Sequence, residues 1–379
     1  MRTTAHGIEG VTPAESAALL RALDLAACGV RGANPLVGAV LLAPDGAVLG
    51  EGHHRGAGTP HAEPAALADA RERGNDPRGA TMVVTLEPCD HTGRTGPCST
   101  ALLEAGVARV VYAADDVDAA AAGGGQRLRA EGVDCVAGHE AARARELNER
   151  WAAATSARRP FVTLKSAQSL DGRVAAPDGT SQWITGAEAR ADGHRLRALA
   201  DAVLVGTGTV LADDPQLTAR PGTAPSDAAP TGSAPTGAAP VDSARPGTPA
   251  SARSAGLRVV MGRSAVPDAA AIRGEGFLHL PTRDVHEVLD ALYTRGVRHL
   301  LVEGGPRIAS AFLRAGVVDE LFSYVAPLLL GNGAPAFPGL GVETLSGATR
   351  WVPDDAGGPA VVRLGADVRL HLRPPSLAP

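Results

Sequence analysis

The alternation of apolar and polar stretches predicts an α/β fold for the first part of the chain. Short apolar runs of strand length, such as TMVVTLEP, ARVVYAA and VDCVAG, alternate with segments of helical pattern, such as STALLEAG and GQRLRAEG. Strands that alternate with helices build a sheet covered by helices. The pattern therefore predicts an α/β sandwich around a mostly parallel sheet.

Capping and turn residues mark where several of these elements begin and end. The TPAE segment that starts at Thr12 combines a capping threonine, a first-turn proline and a glutamate, and it predicts a helix that reaches about Gly29. The Asp-Gly pair at 45–46, between VGAVLLAP and AVLGEG, predicts a β-hairpin. Further helices are expected at about 61–73 and at about 139–156.

A second α/β set begins at FVTLKSAQSLDGRV. It continues through DAVLVGTGTV, LRVVMG, HLLVEGG and LFSYVAPLLLG, and it ends on VVRLGADVRLHL. Between Arg220 and Gly256 the chain consists almost wholly of Ala, Pro, Ser, Thr and Gly, which supply no periodic apolar face for a core. We therefore expect two domains, residues 1–158 and 159–379, with a disordered insertion at 221–255 in the second.

The overall composition limits the class of protein and its compartment. A chain of 379 residues exceeds one ordinary core, and a net charge of -5 gives no basis for binding nucleic acid or a membrane. The start of the chain lacks the pattern of a secretory leader, and its apolar runs are too short to span a bilayer. We therefore expect a cytoplasmic protein, in which four cysteines argue against a disulfide framework.

The segment TLEPCDHTGRTGPC carries two of these cysteines, Cys89 and Cys98, and PHAEP upstream supplies His61 and Glu63. His-x-Glu, then a strand, then Pro-Cys and a second Cys is the order of residues in the zinc deaminases. Three protein ligands leave a tetrahedral zinc with one position for water, and the glutamate then transfers protons instead of binding metal. The pattern predicts a catalytic zinc site.

A structural zinc site is the alternative interpretation of the same residues. It requires a fourth protein ligand, for which His91 is the one candidate nearby in the sequence. The other two cysteines, Cys28 and Cys135, have no partner motif and are interpreted as ordinary small apolar side chains.

Long motifs in both halves occur in the order of one known family. The first half contains NPLVG, GHHRGAGTPHAE, TLEPCDHTGRTGPC and EAGVARVV, and the second contains LKSAQSLDGRVA, SQWITG, VLADDPQLTAR, VEGGPRIASAFL, VDEL and APLLLG. With these motifs the chain resembles the bifunctional riboflavin-biosynthesis deaminase/reductases. The resemblance covers nearly the whole chain except its first residues and 221–255.

The resemblance implies a fold, two activities and two cofactors. The fold is a cytidine-deaminase-like three-layer sandwich followed by a dihydrofolate-reductase-like α/β domain. The activities are hydrolytic deamination of 2,5-diamino-6-(5-phosphoribosylamino)pyrimidin-4-one and reduction of its ribosyl group to a ribityl chain. One Zn²⁺ per chain and NADPH serve these reactions. The expected binding partner is a small phosphorylated pyrimidine substrate, and neither nucleic acid nor a membrane is expected to bind. A homo-oligomer is also consistent with the resemblance.

The matching motifs also imply roles for particular residues. The residues expected at the deaminase substrate are Asn34, His54, His91 and Arg94. Those expected at the reductase cofactor are Lys165, Ala167, Trp183, Thr209, Asp213, Gly304, Gly305, Pro306, Arg307, Ile308 and Ala309. Those expected at the reductase substrate are Ser181, Arg197, Leu217, Arg220 and Glu303.

Physical chemistry supports only part of this assignment. The guanidinium groups of Arg197 and Arg220 suit a ribose phosphate, which they can pair in bidentate fashion. The second half lacks the Gly-x-Gly-x-x-Gly fingerprint of a Rossmann domain. It does contain LVEGGPRIASAF, in which Gly304 and Gly305 would let a phosphate approach backbone N–H groups at a helix start.

The chain departs from the family pattern at two places. Residues 95–98 read Thr-Gly-Pro-Cys instead of Thr-Pro-Pro-Cys, and residues 115–118 read Asp-Asp-Val-Asp instead of Asp-Pro-Asn-Pro. The second departure lies where a strand ends, which is where α/β sheets bind ligands. Two alternative functions stay open at this point: a paralogue with an altered deaminase substrate, and a zinc-stabilised binding protein without turnover.

Overall fold

The computed structural model describes residues 10–92, 96–219, 256–356 and 358–375. The expected insertion at 221–255 lies outside the described residues. The chain divides into two compact units, Met1–Arg159 and Pro160–Pro379. None of the described helices has the length and apolar character needed to cross a membrane.

The first unit is built on a mixed sheet. Its elements are α1 (Pro13–Ala27), β1 (Gly38–Leu42), β2 (Val48–His53), α2 (Ala62–Glu72), β3 (Thr81–Leu86), α3 (Cys98–Glu104), β4 (Arg109–Ala114), α4 (Gly124–Ala130), β5 (Asp134–Ala137) and α5 (Ala141–Ala157). The strand order is β2-β1-β3-β4-β5, with β3, β4 and β5 parallel. The antiparallel pairing of β1 with β2 confirms the hairpin predicted at Asp45 and Gly46. The expectation of a mostly parallel sheet is corrected here, because β1 also runs antiparallel to β3, so two of the four strand pairs are antiparallel.

Helices cover both faces of this sheet. On one face, α1 and α5 pack with the strands in a buried cluster that contains Leu19 and Val40. On the other face, α2, α3 and α4 form a second cluster that contains Leu102 and Leu41. The result is the expected three-layer sandwich, in which strand residues alternate between two cores.

Local sequence determines how α1 begins and how closely it packs. The Thr12 side chain accepts a hydrogen bond from the Glu15 backbone N–H at 3.2 Å, and the Glu15 carboxylate accepts one from the Thr12 N–H at 2.7 Å. This reciprocal capping confirms the predicted helix start. Where α1 crosses β1, a Cβ atom on Gly38 would lie 2.0 Å from the carbonyl oxygen of Ala22, so only glycine permits this packing distance.

The second unit is built on a longer, largely parallel sheet. Its elements are β6 (Phe161–Ser169), β7 (Arg173–Ala175), α6 (Ala187–Leu199), β8 (Ala202–Gly206), α7 (Thr207–Asp213), β9 (Leu257–Met261), β10 (Phe277–Leu280), α8 (Val285–Thr294), β11 (His299–Val302), α9 (Pro306–Arg314), β12 (Glu320–Ala326), β13 (Ala334–Pro335), β14 (Val352–Pro353), β15 (Val361–Leu364) and β16 (Asp367–Arg373). The strand order is β10-β9-β8-β11-β6-β12-β16-β14, and β15 pairs with β16. In this sheet order, the six strands β10, β9, β8, β11, β6 and β12 all run parallel to one another, and β16 is antiparallel to β12.

The parallel strands are buried because helices cover both faces of the sheet. Every residue of β8 and β11 is buried, which is typical of parallel strands between two helical layers. The helices α8 and α9 pack on one face and α6 and α7 on the other. The carboxyl ends of the neighbouring strands β8 and β11 lead directly into α7 and α9, which places two loops at one edge of the sheet.

Matched leucine substitutions test this description of the second core. Leu289 on α8 is 1% exposed, whereas Leu345 is 83% exposed. We expect Leu289→Ala to lower the free energy of unfolding by about 2–5 kcal/mol, because it removes buried methyl groups and leaves a cavity. Leu345→Ala should change it by less than about 0.5 kcal/mol. Urea unfolding monitored by circular dichroism measures both, and equal effects of the two substitutions would contradict the assigned packing.

Candidate active sites

Three segments of the first unit place two thiols and an imidazole together. His61 immediately precedes α2, Cys89 follows β3, and Cys98 is the first residue of α3. The His61 Nδ1 atom lies 3.6 Å from Cys89 Sγ and 3.3 Å from Cys98 Sγ, and the three atoms all lie within 4.8 Å of one another. This arrangement brings together the residues that the sequence pattern singled out as zinc ligands.

The geometry and chemistry of this group fit a zinc ion. Zinc bonds of about 2.3 Å to sulfur and about 2.0 Å to nitrogen, at a tetrahedral angle, separate the ligand atoms by about 3.5 Å. Both cysteines are buried, and the backbone N–H of Cys98 donates to Cys89 Sγ at 3.4 Å. Hydrogen bonding from Cys98 and the His61 ring holds the pKa of Cys89 below that of an ordinary thiol, which favours the thiolate that binds metal.

The described residues place three ligands in this group, and His91 is not among them. A structural tetrahedral site would need a fourth protein ligand, so the geometry favours the catalytic interpretation. The His91 side chain is half-buried, and its Nδ1 atom has no hydrogen-bond partner among the described residues.

The Glu63 carboxyl lies beside the thiols and outside the ligand group. Glu63 is the second residue of α2 and is 3% exposed. Burial raises its pKa to about 7, with a further contribution from the neighbouring Cys89. A carboxyl group with such a pKa exchanges protons readily at neutral pH.

Asn34 and His54 form a hydrogen-bonded pair next to the ligands. The His54 Nδ1 atom lies 3.1 Å from the Pro60 carbonyl oxygen, to which it donates, so the Asn34 amide donates to His54 Nε2 at 2.8 Å. The His54 ring meets the His61 ring edge-on, with centroids 5.5 Å apart. Arg94 lies outside the described residues.

Two acids lie close to this site: Glu87, which was not found from the sequence, and Asp116, which belongs to the segment 115–118 that departs from the family pattern. The Glu87 carboxylate accepts hydrogen bonds from the backbone N–H groups of Gly123 and Gly125, at 3.2 and 3.1 Å. Asp116, which follows β4, is half-buried, and burial raises its pKa to about 6. For Glu87, the only signal in the sequence was its position directly after a buried strand, because its contacts at the start of α4 depend on tertiary packing.

In the second unit, an ion pair lies at the carboxyl end of β11. The Arg197 Nε and Nη2 atoms donate to Glu303 Oε2 at 2.9 and 2.6 Å, and Arg197 Nη1 donates to the Thr218 carbonyl at 3.3 Å. The other carboxylate oxygen of Glu303, Oε1, is buried and has no hydrogen-bond partner among the described residues. Leu217 directly precedes Thr218 in the chain and is buried. The hydrogen bonds of Arg197 therefore connect the segments that carry Arg197, Leu217 and Glu303, three of the residues expected at the reductase substrate.

The glycine turn between β11 and α9 meets α7. The Gly305 backbone N–H donates to the Thr209 hydroxyl at 3.2 Å. A Cβ atom on Gly304 would lie 2.6 Å from side-chain atoms of Ile308, so this residue must be glycine for the turn to pack against α9. Pro306 starts α9, Arg307 is exposed and Ala309 is buried. The turn thus has the strand–glycine–helix form expected for a phosphate-binding segment.

The remaining residues of the reductase prediction are more dispersed. Lys165 and Ala167 lie on β6 opposite β12, and Lys165 Nζ is 5.5 Å from the centre of the Tyr324 ring. Burial lowers the pKa of Lys165. The Trp183 side chain is exposed, and the guanidinium carbon of Arg190 lies over its ring, 4.6 Å from the ring centre. Among the described residues, no hydrogen bond or ion pair joins Ser181, Trp183 or Asp213 to the glycine turn, and Arg220 lies outside those residues. The roles of all these residues stay predictions.

Comparisons with known proteins agree for both units. Residues 13–114 match the cytidine and deoxycytidylate deaminase zinc-binding region, and residues 160–355 match the RibD C-terminal domain. The riboflavin biosynthesis protein RibD of Mycobacterium tuberculosis (strain CDC 1551 / Oshkosh) is 42% identical over 343 residues, which cover 89% of this chain and 91% of that protein.

Solved structures give the same result for the fold. The RibD of Acinetobacter baumannii (form 1) superposes with a TM-score of 0.77 at 34% identity, covering 95% of this chain and 99% of that one. A diaminohydroxyphosphoribosylaminopyrimidine deaminase / 5-amino-6-(5-phosphoribosylamino)uracil reductase of Thermotoga maritima superposes with a TM-score of 0.75 at 30% identity, covering 95% and 99%. The chain belongs to the RibD family of riboflavin-biosynthesis enzymes, which combine a zinc-binding deaminase and an NADPH-dependent reductase in one chain.

Proposed function

We propose that the two activities are divided between the two units and that the substrate is the one the sequence resemblance implies. Residues 1–158 would deaminate 2,5-diamino-6-(5-phosphoribosylamino)pyrimidin-4-one by hydrolysis. Residues 159–379 would then reduce the ribosyl group of the deaminated product to a ribityl chain. The observation that carries the deaminase assignment is a three-ligand group beside a buried glutamate. The reaction named for the Thermotoga maritima structure supports the choice of substrate.

In the deaminase unit, His61, Cys89 and Cys98 would hold the zinc ion. Zinc bound by three protein ligands lowers the pKa of water toward neutrality. The Glu63 carboxylate would accept one proton from the attacking water and pass it to the ring nitrogen. It would then take the second proton of that water and pass it to the amino group, which leaves as ammonia. Its burial keeps this proton transfer away from bulk water.

Polar side chains around the ligands would hold the substrate. The Asn34 amide is oriented by its hydrogen bond to His54, and the Nδ1 atom of His91 is without a partner among the described residues. Asn34 and His91 would therefore bind the pyrimidine or its phosphate, and the positive charge of Arg94 would pair with the phosphate. Both ring nitrogens of His54 are already hydrogen-bonded, so His54 would act by orienting Asn34.

In the reductase unit, NADPH supplies the hydride. The unpaired Oε1 of Glu303 would accept a hydrogen bond from a ribose hydroxyl, and Arg197 keeps that carboxylate in place through Oε2. Because Arg197 is already paired with Glu303, Arg220 is the better of the two arginines for the substrate phosphate. The backbone of Gly304 and Gly305, with Thr209, would face the cofactor.

An altered deaminase substrate is the second candidate function. The pKa of the His61 ring is raised, chiefly by its hydrogen bond with Cys89, and Asp116, from the segment that departs from the family pattern, is close enough to add a small contribution. A mass-spectrometric assay of the purified protein with the diaminopyrimidine substrate, with and without NADPH, tests both candidates. Formation of the deaminated product and then of the ribityl product supports the leading proposal, and failure to deaminate by a zinc-loaded protein would support an altered substrate. A cytoplasmic location and a homo-oligomeric state stay predictions.

Replacing the proposed ligands should remove the metal. We expect one zinc ion per wild-type chain and less than a tenth of that in Cys89→Ala and Cys98→Ala, because two remaining ligands bind zinc weakly. Cys135→Ala, which changes a cysteine outside the group, should retain all of it. Inductively coupled plasma mass spectrometry of the purified proteins measures the content. Full zinc in a Cys89→Ala/Cys98→Ala double variant would refute the ligand assignment.

Replacing Glu63 should separate metal binding from turnover. Glu63→Gln should retain zinc and lose at least about 100-fold in deaminase kcat, since the amide cannot transfer the proton. Reduction of substrate that is already deaminated should be unchanged, because hydride transfer requires no zinc. Glu72→Gln, an exposed change at the other end of α2, is the matched control. Normal deamination by Glu63→Gln would rule out the proposed proton transfer.

Replacing Glu303 should affect only the reductase. Glu303→Gln replaces the carboxylate that would accept a hydrogen bond from the ribose hydroxyl with a neutral amide. Such a charge-assisted hydrogen bond is worth roughly 1.5–3 kcal/mol, so reductase kcat/KM should fall by about 10- to 100-fold. Deaminase activity should stay at the wild-type level. Glu287→Gln, at an exposed position of α8, controls for loss of one negative charge in this unit. A parallel loss of deamination in Glu303→Gln would contradict the division into two separate sites.

A further inference from the structure

We infer that Asp90, Ser99 and Arg127 form a clamp that holds the two cysteine ligands together and slows the loss of zinc. Each of the first two residues follows one of the cysteines directly in the chain. The inference rests on the assignment of Cys89 and Cys98 as ligands. It adds three positioning residues that touch neither the metal nor the substrate.

The clamp centres on one carboxylate oxygen. The Ser99 hydroxyl donates to Asp90 Oδ1 at 2.6 Å, and Arg127 Nη1 donates to the same oxygen at 2.7 Å. Ser99 is entirely buried, so its hydroxyl depends on this acceptor. The residue after the first ligand is thereby tied to the residue after the second.

Backbone hydrogen bonds reinforce the same connection. The Ser99 N–H donates to the Cys89 carbonyl at 3.2 Å, and the Asp90 N–H donates to the Ala121 carbonyl at 2.9 Å. These bonds bring the start of α3 against the segment that follows β3. Cys89, Cys98 and Ala121 form a small buried cluster at the same place.

The third member of the clamp extends from a helix that is packed on this segment. Arg127 belongs to α4, and a Cβ atom on Gly124 of the same helix would lie 1.8 Å from the Pro88 carbonyl oxygen. The helix backbone is thus in direct contact with the chain next to Cys89. Arg127 therefore connects Asp90 to an element whose own position relative to the ligands is constrained by close packing.

The physical reason for such a clamp is the cost of assembling the ligands. Two thiolates repel each other and are nine positions apart in the chain, so their approach must be maintained by other contacts. Partners outside the ligand shell that fix ligand orientation typically change metal affinity by roughly 10- to 100-fold. Because Asp90 is itself paired with Arg127, the clamp adds no unpaired negative charge beside the thiolates.

The test is the rate at which the full-length, zinc-loaded protein releases zinc to excess EDTA, followed by metal content after rapid desalting. Asp90→Ala should release zinc roughly 10- to 100-fold faster than wild type. Ser99→Ala and Arg127→Ala should each accelerate release less. Asp90→Ala/Ser99→Ala should be close to Asp90→Ala and less than additive, because both substitutions remove the Ser99–Asp90 bond and only the 3.4 Å hydrogen bond from Arg127 to Ser99 is then left for Ser99→Ala to remove. Arg21→Ala, which breaks the exposed ion pair with Glu51, should release zinc at the wild-type rate.

A second measurement distinguishes a clamp from general stabilisation of the fold. With a clamp, Asp90→Ala should reduce the increase in Tm that zinc produces and leave the Tm of the EDTA-treated protein unchanged. A merely structural contact would lower both Tm values equally. The milder Asp90→Asn, which keeps an acceptor for Ser99 and loses the charge, should release zinc at an intermediate rate and covers the case in which Asp90→Ala fails to fold.

The outcomes separate this inference from the assignment beneath it. If Cys98→Ala loses zinc but Asp90→Ala and Asp90→Asn release it at the wild-type rate, the clamp alone is refuted. If Cys98→Ala retains zinc, the ligand assignment fails and the clamp fails with it. Equal losses of Tm with and without zinc in Asp90→Ala would also overturn the inference.

Discussion

The approach of two buried thiols to one imidazole is the constraint on which the first unit depends. The three side chains come from three different segments, and each lies where a helix begins or a strand has just ended. The three side chains can approach one another only when the sheet, α2 and α3 have all formed and packed together. The close approach of α1 to β1 at Gly38, on the opposite face, contributes to the same requirement because it fixes β1 beside β3.

The second unit follows a different rule, since its candidate residues gather where parallel strands end. Glu303 follows the end of β11, and Gly305, two residues further on, donates a hydrogen bond to Thr209 of α7, which follows β8. Neighbouring parallel strands present their carboxyl ends at one edge, so loops far apart in sequence become neighbours there. The partly buried pair of Arg197 and Glu303 then orients one carboxylate oxygen of Glu303 and leaves the other without a protein partner in the described part of the chain.

Features with a local cause could be predicted from the sequence, and features that depend on tertiary contacts could not. The reciprocal hydrogen bonds of Thr12 and Glu15 join two residues only three positions apart, and the start of α1 was predicted correctly. The ligand residues were identifiable because metal chemistry limits both their types and their order. The hairpin of β1 and β2 was predicted from its Asp-Gly turn, but the antiparallel pairing of β1 with β3 was missed, because alternation of strands and helices does not reveal which strands pair. The links from Asp90 to Arg127 and from Arg197 to Glu303 were also missed, because they join residues 37 and 106 positions apart.

The place of β6 in its sheet has a consequence for synthesis on the ribosome. β6 is the first strand of the second unit, yet it lies between β11 and β12, whose residues begin at His299 and Glu320. The first unit contains both neighbours of each of its inner strands within its own 159 residues, so it can complete its sheet while the rest of the chain is still being translated. The apolar residues of β6 must wait for more than a hundred further residues to emerge. During that interval the apolar residues of β6 are exposed, and chaperones can bind them. The high sequence separation of the contacts of β6 also predicts that the second unit folds more slowly than the first.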